Sequence, residues 1–142
     1  MVGLEKKMAE EKAEEKKVKV LLADDEQHVR QLIKAVLTPL GSEIVAEAQN
    51  GNEALARYKE LRPDVVLLDV NMPVKDGIAA LREIREFDGN ASVIMLTSLS
   101  DMETIQTALE LGAIQYIRKD TPITEMRQII KDAWQHLGVQ RL

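Results

Sequence analysis

The chain has 142 residues, a formal net charge of −5 at pH 7, 45% hydrophobic residues and no cysteine. These values fit one globular domain with a short appendage, and they exclude a disulfide framework and a thiolate metal site. The acidic balance and the 3% of aromatic residues disfavour direct nucleic-acid binding, and no apolar run approaches the ~20 residues that span a bilayer.

Residues 1–17 differ in composition from the rest of the chain. They hold five lysines, five glutamates and few apolar residues. Such a segment favours a solvated helix or a disordered tail, with a helix that pairs with a partner chain as the alternative. It lacks the apolar stretch of a signal peptide, so a cytoplasmic protein without membrane contact is expected. We therefore predict a charged extension over 1–17, a folded domain over 18–138 and a tail over 139–142.

From residue 18 onward, apolar segments typical of strands alternate with segments of helical periodicity. Strands are predicted at 18–23, 43–48, 65–69, 92–96 and 114–118. The first helix is predicted at 29–40 and the third at 77–87. The second begins at an Asn50–Glu53 capping box and ends just before Pro63, and the fourth begins at a Ser100–Glu103 cap and ends near Gly112. The fifth runs from Thr121-Pro122 to His136. This alternation predicts an α/β fold, a doubly wound five-stranded parallel sheet flanked by five helices.

Polar side chains follow the carboxyl ends of the predicted strands, where ligands bind in sheets of this kind. In chain order they are Asp24, Asp25, Asp69, Thr97 and Lys119. Three neighbouring carboxylates repel one another and stay ionised together only if a cation compensates them. Oxygen ligands without cysteine favour a hard ion, so we expect Mg²⁺, with Mn²⁺ as the alternative. Asp69 could then attack phosphorus as a nucleophile, while Lys119 and Thr97 bind phosphoryl oxygens.

This pattern resembles the response-regulator receiver family of two-component signal transduction. The resemblance rests on Asp24-Asp25, on LLDVNMPVKDG around Asp69, on Thr97-Ser98, and on Lys119 after Tyr116. The motifs stand in the order of the family and cover residues 18 to about 137. The resemblance implies a flavodoxin-like (CheY-like) fold and a regulator that is not an enzyme but assists its own phosphorylation and dephosphorylation.

The resemblance also implies the roles of the acidic residues. Asp69 would be the aspartate that a sensor histidine kinase, a phosphotransfer protein or a small phosphodonor phosphorylates. Asp25 and Asp69 would ligate Mg²⁺ directly, and Asp24 would do so through water. Asn71 would contribute its backbone carbonyl to the metal.

The remaining roles implied by the resemblance concern the switch. Lys119 would pair with Asp69 before phosphorylation and with the phosphoryl group afterwards. Thr97 would move toward the phosphoryl group, and Tyr116 would turn inward as Thr97 moves. The surface of helix 4, strand 5 and helix 5, roughly residues 101–136, would then bind a downstream protein target. A phosphorylation-dependent homodimer is left open.

One departure from the family pattern follows the lysine. The family commonly has a proline directly after it, often following a cis peptide bond, whereas here Asp120-Thr121-Pro122 follows Lys119. The conformation of this loop is therefore not predicted from the family pattern.

Other interpretations stay open. Asp24 and Asp25 could cap a helix, and Tyr116 could serve packing alone. An aspartyl-phosphate hydrolase of the haloacid dehalogenase type would need an aspartate where Asn71 stands, and a flavin-phosphate binder would need a glycine-rich loop after the first strand. A phosphorylation-independent interaction module would require that the site be chemically inactive.

Overall fold

The computed structural model describes Gly3 and residues 17–141, and the side chains of residues 17–137. In this part of the chain the strands are β1 (Val18–Ala23), β2 (Ser42–Ala48), β3 (Val65–Asp69), β4 (Val93–Thr97) and β5 (Gln115–Arg118). The α-helices are α1 (Gln27–Leu37), α2 (Gly51–Leu61), α3 (Gly77–Phe87), α4 (Ile105–Glu110) and α5 (Ile123–Arg141). The predicted charged extension lies outside the described residues apart from Gly3 and Lys17.

All five strands run parallel in one sheet, in the order β2-β1-β3-β4-β5. The chain passes from β1 outward to β2, returns past β1 to β3, and then continues to β4 and β5. The direction of winding therefore reverses between the neighbouring strands β1 and β3. In open parallel sheets, such a reversal leaves a crevice at the carboxyl edge of the sheet. The predicted fold class is confirmed.

An apolar layer covers each face of the sheet. The α2–α4 face packs against helices α2, α3 and α4, and the α1–α5 face packs against helices α1 and α5. Strands β3 and β4 are buried along their whole length, as expected for apolar strands covered on both sides. Within the described residues, no helix is long and apolar enough to cross a membrane.

Several predicted helix boundaries move in the structure. The capping box is confirmed, because Asn50 Oδ1 accepts from Glu53 N at 2.9 Å and Asn50 Nδ2 donates to Glu53 Oε2 at 2.9 Å. Helix α1 begins two residues early and ends at Leu37, and a 3₁₀ turn over Thr38–Leu40 follows because Pro39 lacks the N–H that would continue an α-helix. Helix α5 extends beyond His136, where its predicted end lay.

The predicted cap of the fourth helix, at Ser100 and Glu103, is wrong. A 3₁₀ helix occupies Leu99–Thr104, and α4 begins only at Ile105. The Ser98 hydroxyl lies 2.8 Å from the Ser100 hydroxyl and donates to Asp101 Oδ2 at 2.7 Å. Short polar side chains that bond to one another in this way compete with a regular helix start.

Candidate functional site

The fold brings the predicted site residues to one edge of the sheet. Asp24 directly follows β1, and its N–H donates to the carbonyl of Ala48 in β2 at 3.0 Å. Asp69 is the last residue of β3. Lys119 directly follows β5, and its N–H donates to the carbonyl of Thr97 at 2.8 Å. The main chain therefore fixes these residues at the carboxyl edge of the sheet, on β1, on the neighbouring β3 and on β5 beyond β4.

The three aspartates form an acidic cluster. Asp24, Asp25 and Asp69 each place one carboxylate oxygen within 4.8 Å of the others. Asp24 is fully buried and Asp69 is 1% exposed, whereas Asp25 is exposed. Asp24 Oδ1 accepts from Glu26 N at 2.9 Å, and Asp69 Oδ1 accepts from Asn71 N at 3.2 Å. These backbone hydrogen bonds hold both buried carboxylates in place.

Lys119 supplies the positive charge that faces the buried carboxylates. Its Nζ lies 2.9 Å from Asp24 Oδ2, 3.2 Å from Asp69 Oδ2 and 3.7 Å from Glu26 Oε1. Apart from this ammonium, neither Oδ2 has a hydrogen-bond partner among the described residues. One cation thus serves two buried carboxylates, and each Oδ2 keeps capacity for another positive partner.

The electrostatics of the cluster favour a proton on one carboxyl group. Burial raises the pKa of Asp69 to about 7, and repulsion from Asp24 adds to the effect, while Lys119 and the Asn71 N–H offset only part of it. Burial lowers the pKa of Lys119, but its pairs with Asp24 and Asp69 outweigh burial and leave that pKa raised. Lys119 therefore stays charged near neutral pH, where Asp69 gains or loses a proton.

The donor set fits a hard divalent cation. It offers carboxylate oxygens alone, two from buried side chains and one from exposed Asp25, which leaves room for water and for a further oxygen ligand. No second group with this spacing occurs in the part of the chain that the structure describes. A cation here would also relieve the repulsion that raises the Asp69 pKa.

Thr97 lies on β4, next to the strand of Asp69, and Tyr116 lies on β5, one strand further out. Thr97 is fully buried one position beyond Leu96, the register partner of Asp69, and its hydroxyl donates to Ser98 O at 3.0 Å. Tyr116 pairs in register with Met95 and packs, partly buried, against the α2–α4 face. A movement at the site could therefore pass through Thr97 on β4 to Tyr116 on β5. The switch roles of both residues stay predictions, as does the metal contact of the Asn71 carbonyl.

The loop from β3 to α3 is tightly constrained. The N–H of Gly77 donates to Val70 O at 2.9 Å, and a Cβ on Gly77 would lie 1.9 Å from the backbone oxygen of Asp69. Val74 has a φ of 68°, and Lys75 N donates to Pro73 O at 2.7 Å across it. The positive φ of Val74 in this tight turn was not predicted, because a β-branched residue disfavours it.

The loop after Lys119 is held without a proline next to the lysine. The Lys119–Asp120 peptide bond is trans. Arg118 donates to both carboxylate oxygens of Asp120, at 3.0 and 2.6 Å, and Thr121 N donates to Arg118 O at 3.0 Å. Lys119 therefore lies inside a turn that is closed by the Thr121–Arg118 hydrogen bond and by the bidentate ion pair between its two neighbours.

Comparison with known proteins points to one family. The family model of the response regulator receiver domain matches residues 20–131. The chain is 42% identical over 113 residues to the chemotaxis protein CheY of Halobacterium salinarum, covering 80% of this chain and 93% of that protein. It is 41% identical over 101 residues to CheY of Bacillus subtilis, covering 71% of this chain and 84% of that protein.

Solved structures agree with the fold. The receiver (REC) domain of AraT, a response regulator from Geobacillus stearothermophilus, superposes with a TM-score of 0.82 at 31% identity, covering 88% of this chain and 98% of that one. A chain of the CheX–CheY–BeF₃–Mg²⁺ complex from Borrelia burgdorferi superposes with a TM-score of 0.77 at 33% identity, covering 82% and 89%.

Proposed function

Because the chain belongs to the response regulator receiver domain family, we propose that Asp69 accepts a phosphoryl group in an Mg²⁺-dependent transfer within a two-component system. The observation that carries this proposal is the acidic cluster of Asp24, Asp25 and Asp69 with Lys119 against its buried oxygens. A carboxylate nucleophile, a hard-cation site and a fixed ammonium within one crevice are the parts that phosphoryl transfer needs.

In the proposed transfer, a carboxylate oxygen of Asp69 forms a bond to phosphorus, and the bond from phosphorus to the donor's nitrogen or oxygen breaks. The leaving group, a histidine side chain or acetate, departs with the bonding electron pair. Bound Mg²⁺ would offset the negative charge of the carboxylates and the phosphoryl oxygens. Lys119, which already faces Asp69 Oδ2 at 3.2 Å, would turn its ammonium to a phosphoryl oxygen.

The switch would start at Thr97. Among the residues that the structure describes, its hydroxyl donates to the neighbouring carbonyl of Ser98, so a phosphoryl group on Asp69 would offer a charged acceptor instead. Movement of Thr97 would shift the 3₁₀ segment that follows β4 and the packing of Tyr116 on β5. The equilibrium between the inactive and active conformations of the surface over residues 101–136 would then shift.

The partners follow from the family and are part of the proposal. A sensor histidine kinase or a phosphotransfer protein would donate the phosphoryl group in the cytoplasm, and a downstream protein would bind the 101–136 surface. The CheX–CheY–BeF₃–Mg²⁺ complex of the relative supports both a metal and a protein partner. The chain would act as a regulator that assists its own phosphorylation and dephosphorylation, not as an enzyme with a turned-over substrate.

The test is intact-mass measurement after incubation with acetyl phosphate, with Mg²⁺ or with excess chelator. We expect one added phosphoryl group per chain with Mg²⁺ and none with chelator, because the buried carboxylates repel a phosphoryl anion unless a cation intervenes. Continuous release of phosphate over many turnovers would instead identify a hydrolase of the haloacid dehalogenase type. An unchanged mass in both conditions would contradict phosphorylation by small donors.

A Lys119→Gln variant should lose most of the transfer rate. The ammonium is the only cation among the described residues that contacts Asp69, and removing one such charge stabiliser typically slows a reaction about 100-fold. The measurement is the initial phosphorylation rate at saturating Mg²⁺. Lys131→Met, on the exposed side of α5, is the matched control and should keep the rate of the unmodified chain. Equal rates for Lys119→Gln and the unmodified chain would remove Lys119 from the mechanism.

A further inference from the structure

A buried arginine lies next to the acidic cluster. Arg30 of α1 is 9% exposed, and its Nη1 donates to the backbone carbonyl of Asp24 at 2.7 Å. Its Nε donates to Glu47 Oε1 on β2 at 3.1 Å. Burying a guanidinium is costly unless its donors are paired, so these contacts define where it can sit.

The contact with Arg30 completes the support of the Asp24 main chain. On one side, Asp24 N donates to Ala48 O at 3.0 Å. On the other side, the carbonyl that accepts from Arg30 belongs to the peptide group joining Asp24 to Asp25. Strand β2 and helix α1 thus hold the two peptide groups that flank Asp24. The carboxylates of both aspartates start from a main chain that has little freedom to rotate.

Glu47 reaches Arg30 because strand β2 contains a bulge. The register with β1 shifts between Val20 and Leu21, where one extra residue of β2 enters the ladder. Ile44 packs on the α1–α5 face, yet Ala46, two positions later, packs on the α2–α4 face. A regular strand would put both on the same face. The bulge therefore inverts the alternation and turns Glu47 toward α1, as bulges beside functional sites often do.

We propose that Arg30 is a positioning residue for the divalent cation. Through the Asp24 carbonyl it holds the Asp24-Asp25 segment in the conformation that lets the carboxylates share one ion, and Glu47 fixes the guanidinium. This inference rests on the proposed Mg²⁺-dependent function, which names the ion. Removing an outer-shell hydrogen bond of this kind typically weakens metal binding 10–100-fold.

The test measures Mg²⁺ affinity by isothermal titration calorimetry on the full chain, with thermal unfolding recorded alongside. We expect Arg30→Met to raise the Kd for Mg²⁺ about tenfold or more. Arg127→Met is the matched control, since Arg127 Nε also donates to a backbone carbonyl of α1, that of Val36, at the other end of that helix. This control also loses a hydrogen bond to the main chain of α1, and it should leave the Kd unchanged.

A second pair of variants keeps the test decisive if Arg30→Met does not fold. Glu47→Met removes the carboxylate that orients Arg30, and it should raise the Kd several-fold, by about half the effect of losing Arg30 on a logarithmic scale. Lys34→Met removes the other partner of Glu47, 2.6 Å away, and should leave the Kd unchanged. Arg30→Lys retains a donor for the Asp24 carbonyl and should recover part of the affinity.

Three outcomes would contradict the proposal, and each gives a different pattern of Mg²⁺ affinities. If the unmodified chain binds Mg²⁺ and both Arg30→Met and Glu47→Met bind it equally well, the positioning role is wrong while the metal site stands. If the unmodified chain itself does not bind Mg²⁺, the metal site of the proposed function is wrong, and the role of Arg30 falls with it. A loss of affinity in Arg127→Met equal to that in Arg30→Met would also overturn the proposal, since it would trace the effect to stability alone.

Discussion

An Asp69→Asn variant is expected to take up no phosphoryl group from acetyl phosphate and Mg²⁺, and to resist unfolding better than the unmodified chain at alkaline pH. The first effect follows because an amide cannot act as the nucleophile. The second follows because the buried, ionised carboxylate of Asp69 lies beside that of Asp24. Both effects come from one substitution and are measured separately, by intact mass and by denaturant unfolding without metal.

The pH dependence of this stability difference has a defined sign. The pKa of Asp69 rises from 3.8 to about 7 on folding. A carboxyl group with a raised folded pKa stabilises the fold only while protonated, and this contribution is lost as the pH rises from the lower value through the higher one. Since one pKa unit corresponds to about 1.4 kcal/mol, the variant should gain about 2–4 kcal/mol over the unmodified chain between pH 4 and pH 8.

Mg²⁺ and a distant aspartate serve as controls for this prediction. Saturating Mg²⁺ should flatten the pH dependence of the unmodified chain, because the cation compensates Asp69 and Asp24 when both are ionised. Asp132→Asn, on the exposed side of α5, should alter neither phosphorylation nor the pH profile. A parallel pH dependence of the unmodified chain and Asp69→Asn would show that Asp69 titrates normally. Phosphorylation of Asp69→Asn would place the acceptor elsewhere.

The acidic cluster was predictable because the order and direction of the strands determine where its residues lie. Strands β3 and β4 are continuous apolar runs, and such runs indicate strands covered on both faces. Once parallel strands are assigned, the residues that follow them must meet at one edge of the sheet. Asp24, Asp69 and Lys119 therefore come together in the structure as their positions after the strands required.

The support around the cluster was not predictable by the same means. From the sequence alone, Arg30 would be assigned to the solvent-facing side of an amphipathic helix. Its burial depends on Glu47 facing α1. That orientation depends on a bulge in β2, which no local pattern of the strand reveals. The start of α4 was missed for a related reason, because hydrogen bonds among Ser98, Ser100 and Asp101 replaced the cap that the residue types suggested.

A Gly77→Ala variant should be the most destabilising single methyl addition at the site. A Cβ at this position would lie 1.9 Å from the backbone oxygen of Asp69 and 2.8 Å from its carbonyl carbon, and backbone atoms cannot rotate away as a flexible side chain can. Either α3 must move off β3, which breaks the bond from Gly77 N to Val70 O, or the end of β3 must shift. We expect a loss of about 3 kcal/mol in unfolding free energy.

The same clash should also affect Mg²⁺ binding and phosphorylation, because Asp69 is the last residue of β3. Where Gly77→Ala still folds, we expect weaker Mg²⁺ binding and slower phosphorylation, since small displacements of a reacting group cost large factors in rate. Gly89→Ala is the control, because a Cβ there meets nothing within 4 Å, and its stability should stay within about 0.5 kcal/mol of the unmodified chain. Equal stability of the two variants would mean that α3 and β3 approach less closely than the structure places them.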